Sequence, residues 1–97
     1  MQPAPPVPSV PSPLDVELRS AEQLARTLAE ALDRAPADGV AVVWLAGRAD
    51  EVLAVARGVV RDWAAGRLTT VRAAKILRDY TDGLTRSLAQ WLDADRR

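Results

Sequence analysis

Apolar residues recur every three or four positions along most of this chain, the pattern of amphipathic helices rather than of strands. The clearest stripe runs through Ile76, Leu77, Tyr80, Leu84, Leu88, Trp91 and Leu92. Arg72, Lys75, Arg78, Asp79, Asp82 and Arg86 take the opposite face of the same helix. An earlier stripe is made by Leu14, Leu18, Ala21, Leu24, Ala25, Leu28, Ala31, Leu32 and Ala35. It opens with Ser12 as N-cap, Pro13 at the first helical position and Asp15 three residues after the cap, a capping-box arrangement. Glu22–Arg26 and Glu30–Arg34 have the i,i+4 spacing of helix-face ion pairs. Pro36 ends the helix inside the turn A-P-A-D-G.

The stretch between these two stripes reads in two ways. Residues 40–46 are seven consecutive apolar residues, rich in Val and bounded by Gly39 and Gly47. That fits a buried strand, which would need a second copy or another protein beside it. It also fits a helix starting at an Asp38 N-cap and continuing along Val52, Leu53, Val55, Ala56, Val59, Val60 and Trp63, with a kink or break near Gly47. Helix is the preferred reading, because Ala41, Val42 and Leu45 keep its register. A turn that is apolar all round predicts burial in the bundle centre or in an oligomer interface.

Gly66 then sits just past the end of this helix, Thr69 or Thr70 caps the next one, and Leu68 staples the corner. At Thr81-Asp82-Gly83 three poor helix formers meet. Gly83 there either admits a close neighbouring helix or breaks the element. The stripe stays in phase across it, so an unbroken helix is expected. The predicted fold is all-α, an antiparallel three-helix bundle with helices at about 13–35, 39–65 and 69–94, or four if Gly47 breaks the second. Residues 14–97 make the bundle. Residues 1–13 carry six of the seven prolines, predicting an extended arm that serves as a tether. Its P-x-x-P spacings (Pro3/Pro6, Pro5/Pro8 and Pro8/Pro11) also suit an aromatic-lined groove on a partner.

Composition narrows the chemistry. Ninety-seven residues allow one modest core. The chain has no Cys and no His, which removes thiol chemistry, thiolate metal sites, and the commonest general base and metal ligand. Asp79 and Asp82, with Asp62 from the preceding helix, could approach a Mg²⁺ ion. Lys75–Asp79, Arg78–Asp82 and Asp82–Arg86 instead read as exposed ion pairs. Ser87, Thr81 and Thr85 lack a base to activate them. No catalytic residue, cofactor site or metal site is therefore assigned, and the chain is expected not to be an enzyme.

Thirteen basic residues balance thirteen acidic ones, so no surplus exists to hold nucleic acid through its phosphates. Arg57, Arg61, Arg67, Arg72 and Arg78 are the best basic cluster. They support an alternative function as a DNA-associated regulator or mobile-element accessory protein. Lys75 is the only lysine, and together with the abundant Ala this suggests a GC-rich bacterial source. No secretory signal or membrane-spanning run is visible, making the cytoplasm the default address. Trp44, Trp63, Tyr80 and Trp91 all fall on predicted apolar faces and are expected in the core, Trp44 and then Trp91 being the candidates for an interface. The preferred function is a small adaptor or assembly protein that binds a protein partner, or itself, through Val43, Trp44, Val59, Val60 and Trp91. No motif in the chain is specific enough to assign a family.

Overall fold

The computed structural model describes residues 12–95, and within them every regular element is helical. The order is α1 (Pro13–Arg34), α2 (Val40–Leu45), α3 (Arg48–Ala64) and α4 (Thr70–Asp95). Taking α2 and α3 as one bent arm, the protein is the expected three-helix bundle, with the break where Gly47 allows it. The arm predicted over residues 1–13 lies outside the described residues except for Ser12 and Pro13.

Local chemistry sets three of the helix ends. The Ser12 hydroxyl accepts the Asp15 amide at 3.2 Å, and Pro13 opens α1. The α3–α4 corner is closed by Gly66 at φ +78°, a left-handed conformation that glycine adopts without steric penalty. The Arg67 amide reaches back to the Asp62 carbonyl at 2.9 Å and the Gly66 amide to Trp63 at 3.0 Å, the paired bonds of a Schellman motif. Thr69 then caps α4 by accepting the Arg72 amide at 3.1 Å.

The second arm departs from expectation at its start. Asp38 does not cap it; Gly39 is the N-cap and has no side chain to offer. Residues 40–45 are helical, so the strand alternative is not adopted. At Gly47 the chain turns through φ +78°, the residue that follows the C-cap of α2 and precedes α3. Ala46 and Gly47 therefore separate two helices that both place their buried residues in one core.

The core is aliphatic. Leu14, Leu28, Leu45, Val52 and Leu77 are its largest fully enclosed side chains, with Ala21, Ala41 and Ala73 filling between them. Each enclosed Leu or Val stabilises the fold by roughly 1.5–3 kcal/mol. α1 is the central element, packed along both α3 and α4, which meet each other less extensively. The buried line of α4 runs through Ala73, Ala74, Leu77, Thr81 and Leu88, so Ile76 and Trp91 stand on its flank at 39% and 37% exposure. No aromatic residue is fully buried: Trp44 and Tyr80 pack against the core from its edge, whereas Trp63 and Trp91 are exposed, so the expected core position fails for Trp63. α4 is unbroken at Gly83, and a Cβ there would meet nothing within 4 Å, so no helix makes a close approach at that point. Among the described residues Glu22–Arg26, Glu30–Arg34 and Asp82–Arg86 do not close to ion pairs, whereas Lys75–Asp79 does at 3.0 Å.

Candidate functional site: the apolar elbow

α2 is six residues long, too short to be stable by its own hydrogen bonds. Three other segments hold it. At its start Asp95, on the last turn of α4, accepts the Val40 amide at 2.9 Å through Oδ1 and the Ala41 amide at 3.3 Å through Oδ2. Asp95 thus supplies from a distance the cap that Gly39 lacks. A Cβ on residue 39 would stand 2.9 Å from an Asp95 carboxylate oxygen, so a side chain there would push the carboxylate from its present position. At the end of α2 the Arg48 guanidinium donates from Nε to the Trp44 carbonyl at 3.0 Å, satisfying an acceptor the short helix leaves open. From the inner side, Ala41 and Leu45 insert into the core.

The aromatic residues complete this clamp. Trp44 stacks on Trp91 of α4 with ring centroids 6.3 Å apart and planes inclined by 19°. The Arg48 guanidinium lies 5.1 Å from the centroid of the Trp44 ring, within cation–π range. Arg48 also pairs with Glu51 at 2.8 Å, and the other Glu51 oxygen accepts the Tyr80 hydroxyl at 2.8 Å. The line Trp91–Trp44–Arg48–Glu51–Tyr80 therefore starts and ends on α4 and ties the elbow down at two levels. Partial burial, and the Glu51 carboxylate as acceptor, push the Tyr80 phenol up to about 12, with Arg48 opposing weakly.

Held this way, α2 turns two side chains outward: Val43 is 79% exposed and Val40 53%. They lie three residues apart on one face and flank half-buried Trp44, with Trp91 stacked beyond it. Val43, Trp44 and Trp91 of the predicted interface thus come together. Val59 does not join them. It shares the inward stripe of Val52 and Ala56 and is 7% exposed, so the core takes it. Val60, about 100° further round α3, borders the groove between α1 and α3 with Leu18, Leu53 and Arg57. The platform also includes Val40, which sequence reasoning passed over although its i,i+3 spacing from Val43 was available. Nothing in the sequence pointed to Asp95 or Arg48.

Two members of the predicted arginine cluster, Arg57 and Arg78, do not share one surface. Arg57 edges the α1–α3 groove and Arg78 the α1–α4 groove, on two sides of α1. Arg67 is bound to Asp62 at 2.8 Å, and Arg78 stands 3.9 Å from Asp82. Asp62, Asp79 and Asp82 each face a cation, and no group of three or more carboxylates able to hold a metal occurs among the described residues. No helix there is long and apolar enough to cross a membrane. No family model matches the chain, and neither the curated proteins nor the solved structures contain a match to it.

Proposed function

We propose that this protein is a non-catalytic helical interaction module, an adaptor or assembly protein whose α2 platform docks an apolar segment of a protein partner. The observation that carries the reading is the combination of exposure and rigidity at the elbow. Val43 is the most exposed large apolar residue among those described, yet the helix bearing it is fastened by Asp95, Arg48, the Trp44–Trp91 stack and two core anchors. Ordering a flexible element opposes binding, and a platform already ordered in the free protein avoids that loss. Aromatic residues at the centre of an apolar patch are also the side chains that contribute most when an interface forms.

A photo-crosslinking residue placed at Val43, with a second one at Val71 as control, tests this in cells. Val71 is 72% exposed but lies beside the charged groove between α1 and α4, so it matches Val43 in exposure and differs in surroundings. A discrete adduct from position 43 and none from position 71 is the expected result. Equal labelling at the two positions, or an adduct only at 71, refutes the platform. With the crosslinking residue moved to Val40 on the same face, Val43→Asp should abolish the adduct while changing stability by no more than about 0.5 kcal/mol, as for other exposed substitutions.

A further inference from the structure

The groove between α1 and α3 is a second surface, separate from the α2 platform and independent of the reading just given. It is continuous: its two halves share Glu22 of α1 and Leu53 of α3. Leu18, Leu53 and Val60 are half-buried along it, and they remain partly open to solvent because α1 and α3 leave that side uncovered. On α1 the groove spans Leu18 to Ala29 and on α3 Ala49 to Val60. At 1.5 Å per residue that is roughly 16 Å, the length of about three helical turns.

The charges beside this groove select the occupant. Glu22 and Arg26 line the same stretch of wall, four residues apart, a spacing at which opposite charges can meet on one helix. Among the described residues neither has an ion-pair partner within the chain. Two copies of α1 laid antiparallel across a two-fold axis at the level of Leu24 set each Glu22 opposite the other copy's Arg26. One sequence interval then gives two identical ion pairs, the self-complementarity that an isologous contact requires. Leu53 lies near the same level on α3 and so approaches the axis, where its apolar surface is covered. The remaining cation, Arg57, borders Glu22 from the α3 side and reinforces that end of the pair.

We infer that the α1–α3 groove is the self-association surface of this protein: its occupant is the same groove of a second copy, joined antiparallel through reciprocal Glu22–Arg26 pairs over Leu18, Leu53 and Val60. The test uses the full chain and its solution mass over a concentration series up to the solubility limit. The wild type should show a concentration-dependent dimer. Glu22→Arg and Arg26→Glu should each weaken it at least about tenfold, because like charges then meet across the axis. The effect of Glu22→Arg should be the larger, since Arg57 adds a third cation to that cluster. Mixing the two variants in equal amounts should restore a dimer, now a heterodimer with both pairs intact. That recovery cannot come from pairing within one chain, and it also shows that each variant is folded.

A wild type that stays monomeric throughout overturns the inference. So does a dimer that survives both single reversals, or a mixture that fails to recover. Val43→Asp should dimerise like the wild type. Loss of the dimer in that variant alone would move self-association to the α2 platform, leaving the groove without its assigned role.

Discussion

The two corners of this bundle are built on opposite plans. The α3–α4 corner is closed within eleven residues: Asp62, Gly66, Arg67, Thr69 and Arg72 supply the Schellman bonds, the left-handed turn, an ion pair and the cap. Even the exposed Trp63 is secured locally, its Nε1 donating to Thr70 at 2.9 Å. The usual apolar contact across a Schellman motif is replaced there by Arg67–Asp62, which occupies the same two positions. The elbow containing α2 has little of this. Its N-cap is a bare glycine, and its cap and stacking partner come from the far end of α4, 55 and 47 residues away in sequence. A corner made from neighbours is a property of its own segment, whereas one made from distant groups exists only in the assembled bundle.

The largest effect should come from the anchor that joins elbow to core. Leu45→Ala removes a side chain that is 1% exposed and should destabilise the protein by about 2–5 kcal/mol in denaturant unfolding. A loss below 1 kcal/mol would mean that α2 rests on the bundle without supporting it. A pair of cap deletions addresses the contrast directly. Thr69→Ala and Asp95→Ala should each cost about 1 kcal/mol. Hydrogen exchange should separate them: Asp95→Ala accelerates the Val40 and Ala41 amides and spares Arg72, while Thr69→Ala does the reverse. Acceleration of both sets in both variants would contradict the division into a local and a distant corner.

The next change touches neither corner and calibrates the others. Gly83→Ala, in open space within α4, should stabilise by roughly 0.5–1 kcal/mol, because alanine gives up less backbone freedom in a helix. Destabilisation would reveal a neighbour at that position.

The smallest effect at neutral pH concerns the Tyr80–Glu51 tie, yet it has a distinctive pH dependence. The phenol titrates near 10.0 when unfolded and about 12 when folded, so between these values the folded state binds the extra proton. Stability from this group is complete below pH 10 and is lost as pH rises towards 12. Tyr80→Phe should remove that component of the alkaline decline. Tyr80 is the only tyrosine, so its ultraviolet titration reads the group directly. A phenolate forming near 10 in the folded protein would show that Glu51 does not hold it.

What could be read from the chain follows the same division. Ser12, Pro13, Gly66 and Thr69 act on residues within a few positions of themselves, so the three helix ends they set are legible in the chain, as the fold class is in the apolar periodicity. Gly47 could be flagged as a break for the same reason. Asp38 reads as a cap because it stands where a local cap should stand; the group that caps α2, Asp95, is adjacent only in space. The apolar stripe on α4 emphasises its bulkiest members, but the interior takes Ala73, Ala74 and Thr81 beside Leu77 and Leu88 and leaves Ile76 and Trp91 on the rim. At the candidate site, Val43, Trp44 and Trp91 were visible as apolar residues. Their meeting was not, since it depends on where α2 comes to rest.

The remote cap also has a consequence in time. A ribosome moving at roughly 5–20 residues per second takes several seconds to travel from Val40 to Asp95. Throughout that interval the segment 40–47 is already made, while the carboxylate that caps it and the indole that stacks on it are not. The segment carrying Val43, the most exposed large apolar residue among those described, is therefore one that the nascent chain must hold for seconds before the groups that fix it exist.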